Sequence, residues 1–315
     1  MSTLLEKLPP LYVRVTAVSR ETDLINAYCL EALDGADLPA FTAGAHIGIV
    51  MPGKITRYYS LCGSAHQRKH YLIAVQREAS GRGGSLQVHR RVNVGTVLQI
   101  VRPRNFFALP DAGRVLLLAG GIGITPMMSM AATLEQAGRP YHLVYTTRGA
   151  AAMPFRTHLE GLAARGRATL IDTTLGRADL RHIVEREPEG THVYFCGSER
   201  FMAGVQEACR DRSPEYVHWE SFSPASPAGG NVFTVEARRS NKSFTVSGDQ
   251  SLLMALRENR VPIESVCENG TCGTCKVPYL EGDVEHHDGI LSVAERQSCM
   301  MACVSRAKTR LVLDV

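Results

Sequence analysis

Over the first hundred residues, apolar and polar positions alternate in short runs. LYVRVTAVSR (11–20), HIGIVM (46–51) and HYLIAVQRE (70–78) are rich in β-branched residues and are broken by Gly, Pro and Asp. Several such strands with few helical runs between them predict a small antiparallel barrel over residues 1–110. The pattern changes at Arg114. RVLLLAGG is a short continuous apolar run, as expected of a strand buried on both faces, and the amphipathic stretch PMMSMAATLEQAG follows it. YHLVYTT, ATLIDTT and THVYFCG then read as strands, and PFRTHLEGLAARG as a helix. Buried strands alternating with helices predict βαβ units and a parallel sheet over 111–222. SPASPAGG (223–230) reads as a linker, leaving 231–315 as a third domain.

Length and composition agree with a multidomain folded chain: 315 residues, 44% hydrophobic and 21% charged. These values exclude a disordered tail, a collagen-like fibre and a coiled coil. With 35 Lys+Arg against 31 Asp+Glu, the net charge of +4 does not argue for nucleic acid, and one Trp leaves little surface for stacking bases. The longest apolar stretch, from Val115, is interrupted by Gly, Thr and Pro, so no membrane span is expected. MSTLLEKLPP has neither the basic region nor the apolar core of a signal peptide, and a cytoplasmic protein is expected.

The nine cysteines change the picture because they are clustered. Cys267, Cys272 and Cys275 stand in CENGTCGTC, a C-x4-C-x2-C string, and 27 residues separate Cys275 from Cys303. This is plant-type two-iron, two-sulfur spacing: one loop must wrap a compact anionic cluster, and Gly270 and Gly273 let backbone amides approach its sulfurs. Zinc would more usually show paired C-x2-C spacings, which are absent. Cys299 competes with Cys303 for the fourth place. MMACVSRA resembles the end of ferredoxin-like domains, which favours Cys303.

Arg57-Tyr58-Tyr59-Ser60-Leu61 is an RxYSL string, and here the chain resembles the ferredoxin–NAD(P) reductase superfamily. The resemblance implies that Arg57 grips a flavin phosphate, Tyr59 lies near the ribityl chain and Ser60 sits by flavin N5, with Tyr58 and Leu61 in the same site. A guanidinium suits the phosphate as a bidentate clamp. SGRGGS (80–85) is similar to the segment by which the phthalate dioxygenase reductase type binds FMN rather than FAD. It implies that Arg82 and Ser85, with Gly83 and Gly84, hold or flank the phosphate. Ala74 and Val75 are expected in the same site.

Gly120-Gly121-Ile122-Gly123-Ile124-Thr125-Pro126 lies between a buried strand and a helix, where glycines permit close approach of a pyrophosphate. Thr125 is the expected N-cap, and Pro126 suits the first helical turn. Gly121, Gly123, Thr125 and Pro126 are therefore expected at the dinucleotide. Cys196-Gly197 closes a strand and, by the resemblance, lies beside the nicotinamide ring. Thr147 and Arg148 bear on cofactor choice: Arg148 would suit a 2′-phosphate, yet the phthalate dioxygenase reductase type has a similar pair and uses NADH, which is the expectation here. His218-Trp219-Glu220-Ser221-Phe222 resembles the family's HFESF, with Trp in place of the first Phe. It implies that Phe222 lies against the flavin and that Glu220 acts near it. Ser60, Cys196 and Glu220 are thus the expected catalytic residues.

The order of flavin barrel, nucleotide domain and C-terminal ferredoxin domain resembles the phthalate dioxygenase reductase and vanillate O-demethylase reductase family. The implied fold is an antiparallel flavin-binding barrel, a Rossmann-like parallel α/β domain and a β-grasp 2Fe–2S domain. The implied function is a reductase passing electrons from NADH through FMN and the cluster to a Rieske-type oxygenase in a transient complex. The alternatives are a reductase serving another one-electron acceptor and, outside the enzymes, an electron-carrier module. Residues 231–315 carry 10 Lys+Arg and 11 Asp+Glu, so the last domain is nearly neutral. Glu281, Asp283, Glu285 and Asp288 are open to two readings, a steering patch for a basic partner or an ordinary solvated hairpin.

Overall fold

The computed structural model describes residues 9–52, 55–79, 83–222, 230–270, 272–288 and 290–315. They divide into two compact units, one running to Glu220 and one from Ser221 to Val315. Arg82, the first half of SGRGGS, and linker residues 223–229 lie outside the described residues.

In the first unit β1 (Leu11–Arg20), β2 (Ile25–Ala32), β3 (His46–Met51), β4 (Ile55–Ser60), β5 (His70–Gln76) and β6 (Val97–Arg104) form an antiparallel sheet in the order β4-β3-β6-β1-β2-β5. A bridge from Leu61 to Ile73 joins its two outer edges and closes it into a barrel. Alternation drives this arrangement: in β1, Val13 and Val15 are fully buried while Tyr12 and Arg14 face outward. The helix α1 (Gly84–Arg91) seats Val88 in the barrel core.

The same unit holds a parallel sheet of β7 (Val115–Gly120), β8 (Tyr141–Thr147), β9 (Ala168–Asp172), β10 (His192–Cys196) and β11 (Val217–Glu220), in the order β11-β10-β7-β8-β9. All six residues of β7 are buried. Each of its leucines contributes about 1.5–3 kcal/mol. The chain runs from β7 outward to β8 and β9, then returns to β10 on the other side, so a crevice opens at the carboxyl ends of β7 and β10. The helices are α2 (Ile124–Gln136), α3 (Arg156–Ala164), α4 (Leu180–Glu185) and α5 (Glu199–Ala208).

Two expectations for α2 need correction. It begins at Ile124 rather than after a Thr125 cap, because a 3-10 turn over Gly121–Gly123 runs directly into it and leaves no extended residue before Thr125. Thr125 instead turns its hydroxyl back to the Ile122 carbonyl at 3.0 Å. Nor is the first half of the helix amphipathic: every residue from Ile124 to Ala131 is buried. The barrel covers its second side, so Met127, Met128 and Met130 share one core with Ala43, Cys62 and Phe107.

The second unit is a mixed sheet of β12 (Phe233–Ala237), β13 (Lys242–Val246), β14 (Lys276–Glu285), β15 (Cys299–Met301) and β16 (Arg306–Leu313), in the order β13-β12-β16-β14-β15. Only β12 and β16 pair in parallel. The helix α6 (Leu252–Glu258) buries Leu252, Leu253 and Leu256 against it, giving a β-grasp. Arg306, 5% exposed, donates to the carbonyls of Asn231, Ser247 and Gln250 and so ties three loops together. Among the described residues, no helix is long and apolar enough to cross a membrane.

Candidate functional site

Sheet register assembles a polar site in the first unit. Ser60 of β4 lies opposite His46 of β3, and His46 lies opposite Arg104 of β6, so these three stand in a row across the barrel wall. In the neighbouring sheet, Cys196 at the end of β10 pairs with Glu220 at the end of β11. The two rows meet where Ser60 Oγ donates to Glu220 Oε2 at 3.0 Å, with His46 Nδ1 3.9 Å from Glu220 Oε1. Gly123 makes this junction possible, since a Cβ there would lie 2.2 Å from the Cys196 carbonyl oxygen. The loop after β7 thus rests directly on the end of β10.

The groups in this site differ in charge. Burial, assisted by Glu220, pushes the Cys196 thiol well up, so it stays protonated. Burial and then Arg104 pull His46 down to about 4, leaving it neutral, and among the described residues its Nε2 has no partner. Ser60, Cys196 and Glu220 therefore present a hydroxyl, a thiol and a carboxylate together, and His46 is a fourth member that the sequence reading missed. HIGIVM reads only as a strand, and no local pattern announces a partner 174 residues away.

Alternation along β4 splits the RxYSL string. Tyr58 lies edge-on to His46, on the Ser60 side, at 5.5 Å between ring centroids. Tyr59 packs against the barrel core, and burial raises its hydroxyl to about 12. Leu61 and Val75 are buried in that core, whereas Ala74 joins the core shared with the nucleotide sheet. A Cβ on Gly84 would fall 2.6 Å from Arg57 Nε, so glycine there brings the guanidinium against the first turn of α1. Guanidinium and helix N-terminus together form a cradle that suits a phosphate. Ser85 Oγ accepts from Glu78 N at 3.0 Å, which leaves its hydroxyl proton to donate. These features fit a flavin mononucleotide. Phe222 belongs to the second unit and is 42% exposed.

On the dinucleotide side, Gly121, Gly123, Thr125, Pro126 and Gly197 gather at the crevice, with Thr147 and Arg148 at the end of β8. Thr147 is buried and its carbonyl accepts from Thr173, whereas Arg148 is exposed. Asp172, paired with Thr147 across β8 and β9, was not singled out from sequence. Its carboxylate accepts from Thr174 N at 2.8 Å and from Thr174 Oγ1 at 2.6 Å, and the Gly149 backbone lies beside it. Those bonds, the Thr174 hydroxyl foremost, hold it below the usual carboxylate range.

In the second unit the four cysteines stand as two neighbouring pairs, Cys267 with Cys272 and Cys275 with Cys303. Cys267 lowers the Cys272 thiol to about 5, while in the other pair Cys275 is lowered and Cys303 raised. Backbone amides of Asn269 and Gly270 point to Cys267 and Cys303. Among the described residues, no three metal-binding side chains converge as a mononuclear site needs. Two pairs fit a two-iron cluster, in which each iron takes two protein thiolates. Cys299 lies apart on β15, half-buried beside Ser298. None of the nine cysteines forms a disulfide.

Three of the four acids in the hairpin run have cationic partners. Glu281 pairs with Arg238 and Arg310, Asp283 pairs with Lys308, and Asp288 is buried, accepting from Leu291 N and Arg296.

Comparison with known proteins gives two family matches: an oxidoreductase NAD-binding domain over 117–207 and a 2Fe–2S iron–sulfur cluster binding domain over 235–308. A carnitine monooxygenase reductase subunit of Acinetobacter baumannii is 36% identical, covering 96% of each chain. A heme-dependent oxidative N-demethylase beta subunit of Ectopseudomonas mendocina is 38% identical over 97% of each. The solved structure of a phthalate dioxygenase reductase matches 99% of this chain and 100% of its own, at 34% identity and a TM-score of 0.76. The chain belongs to the phthalate dioxygenase reductase family. It is an oxidoreductase of the oxygenase-reductase type, with NAD-binding and 2Fe–2S domains in one chain.

Two outcomes test the site of this reductase. His46 titrates at about 4 when folded against 6.5 when unfolded, so the unfolded chain takes the proton first as pH falls. Its stabilisation is complete above pH 6.5 and is lost between 6.5 and 4, by roughly 3 kcal/mol. Urea unfolding at about pH 7 and about pH 4.5 will show a smaller loss in His46→Asn than in wild type. Iron analysis of the purified protein will show that Cys303→Ser depletes the cluster, whereas Cys299→Ser retains it and its visible absorbance.

Proposed function

We propose that the chain is an NADH-dependent reductase component that passes electrons through FMN and its 2Fe–2S cluster to a Rieske-type terminal oxygenase. The observation that carries this reading is the hydrogen-bonded meeting of Ser60 with Glu220 beside Cys196, at the seam of barrel and nucleotide sheet. A bound flavin supplies the chemistry between the donor and the cluster, since it accepts a hydride and releases electrons singly. The residues do the positioning. Arg57, the α1 entry at Gly83 and Gly84, Ser85 and Arg82 hold the FMN phosphate, and Arg82 and Ser85 occupy space an adenylate would need. Gly121, Gly123, Thr125 and Pro126 receive the pyrophosphate, while Cys196 and Gly197 border the nicotinamide. Ser60 offers a hydroxyl to the flavin edge, with Glu220 as its proton acceptor. Cys267, Cys272, Cys275 and Cys303 ligate the cluster. The domains run 1–110, 111–222 and 231–315, with 223–230 as linker, in a cytoplasmic protein.

NADH is favoured over NADPH by Asp172. A carboxylate fixed beside Gly149, at the carboxyl edge of the sheet, accepts from ribose hydroxyls and repels a 2′-phosphate, which outweighs the exposed Arg148. The acceptor is read from relatives named as reductase subunits of phthalate 4,5-dioxygenase and carnitine monooxygenase. A second reading, in which the acceptor is a heme protein, is favoured by the heme-dependent demethylase relative. It is favoured also by a 35% identical match, over 97% of this chain, within an intact self-sufficient cytochrome P450 monooxygenase.

Anaerobic titration with NADH, with the flavin identified after acid extraction, tests the relay. Release of FMN is expected, with bleaching that corresponds to two electrons on the flavin and one on the cluster. Release of FAD, or bleaching by NADPH alone, overturns the corresponding assignment, and no bleaching by either nucleotide overturns the reductase. In the same assay Asp172→Asn is expected to cut the preference for NADH over NADPH by about tenfold.

A further inference from the structure

The segment from Arg148 to Phe155 leaves the dinucleotide edge of β8 and enters α3, and it is held at both ends. At its start, Thr147 is held in the nucleotide sheet, its carbonyl accepting from Thr173 N at 2.8 Å, and the Gly149 backbone lies beside the Asp172 carboxylate. At its finish, the Phe155 amide donates at 2.9 Å to Oε2 of Glu21, which lies between β1 and β2 of the barrel. Glu21 is itself oriented by Ser19, whose hydroxyl donates to Oε1 at 2.7 Å. Phe155 has φ 55° and ψ 32°, a left-handed conformation that a bulky residue adopts only where its surroundings enforce it. It also occupies the N-cap position of α3, a helix with no side-chain cap and no acidic residue in its first turn. The carboxylate that faces this helix start therefore comes from the barrel, 134 residues away in sequence.

We infer that Glu21 is a positioning residue that acts through Phe155, locking the β8–α3 segment to the barrel and so setting the distance between the dinucleotide grip and the flavin site. The inference rests on the reading that NADH reduces a barrel-bound flavin. Apolar contact supports the placement: Met153 is buried in the core shared by barrel and nucleotide sheet, and Phe155 packs against it. The Ser60–Glu220 bond ties the two layers at the reaction centre, and Glu21–Phe155 is a second tie at the far end of the dinucleotide-binding edge. With the second tie gone, the carboxyl edge of β8 keeps its fold but loses its fixed register against the barrel. The cost falls on orientation for hydride transfer rather than on affinity.

The test uses the holoprotein with NADH under anaerobic stopped flow. For Glu21→Ala the limiting rate of flavin reduction is expected to fall about tenfold, with the Kd for NADH within about twofold of wild type. Glu21→Gln, which keeps an acceptor for the Phe155 amide, is expected to stay within about twofold on both. Two readouts are independent of turnover. The long-wavelength charge-transfer absorbance of the nicotinamide–flavin pair should weaken in Glu21→Ala, and amide exchange of the 148–158 peptide should accelerate. Ser19→Ala, at an exposed position, should move these readouts in the same direction by a smaller amount if Glu21→Ala proves too unstable to purify. Wild-type rate and absorbance in Glu21→Ala overturn the positioning role, as do equal losses in Glu21→Gln and Glu21→Ala, or an effect carried wholly by Kd. A wild-type protein that NADH does not reduce overturns the reductase reading, and the positioning role with it.

Discussion

Glu220 is the last residue of the parallel sheet, and its carboxylate accepts a hydrogen bond from Ser60 of the barrel. That contact requires β11 to end level with β10, which places Glu220 beside Cys196, and the end of β4 to meet the start of β3, which places Ser60 beside His46. It also requires the loop after β7 to lie flat on the end of β10, which Gly123 allows. Strand register in two separate sheets therefore converges on one ion–dipole contact. The shared core beneath it, with α2 buried on two sides, keeps the sheets from sliding.

This arrangement separates tasks that conflict chemically. A phosphate needs cations and open amides, which Arg57 and the start of α1 provide on one side of the barrel wall. On the other side the buried thiol of Cys196 and the neutral imidazole of His46 flank the Glu220 carboxylate, which accepts from Ser60. The second unit handles a different problem. One loop carries three of its four paired thiols, Cys267, Cys272 and Cys275, and the Asn269 amide points to Cys267. In its hairpin, Glu281 and Asp283 are paired with neighbouring Arg and Lys, which reduces the unpaired charge with which to steer a partner.

Period-two runs, the wholly apolar RVLLLAGG and the C-x4-C-x2-C string depend on neighbours within a few residues, so barrel strands, parallel sheet and cysteine loop were legible in the chain itself. GGIGITP was legible in the same way as a glycine turn between strand and helix, whereas RxYSL and the Cys-Gly pair were legible only through their resemblance to a known superfamily. The errors at α2 had a tertiary cause: Thr125 looks like a cap, and PMMSMAATLEQAG looks like a surface helix, only while the barrel that covers them is out of view.

What the sequence determined by itself was the inventory: three kinds of fold element, two nucleotide-binding strings and four thiols at cluster spacing. These follow from local backbone preference and from ligand chemistry, which act over short stretches of chain. What only the tertiary structure decided was which distant groups share one dielectric environment. His46 became a neutral neighbour of Glu220, Asp172 an anion at the dinucleotide edge and Glu21 the acceptor for a left-handed Phe155. Burial and Coulomb interactions act through space, and in this fold the partners they join lie up to 174 residues apart in sequence.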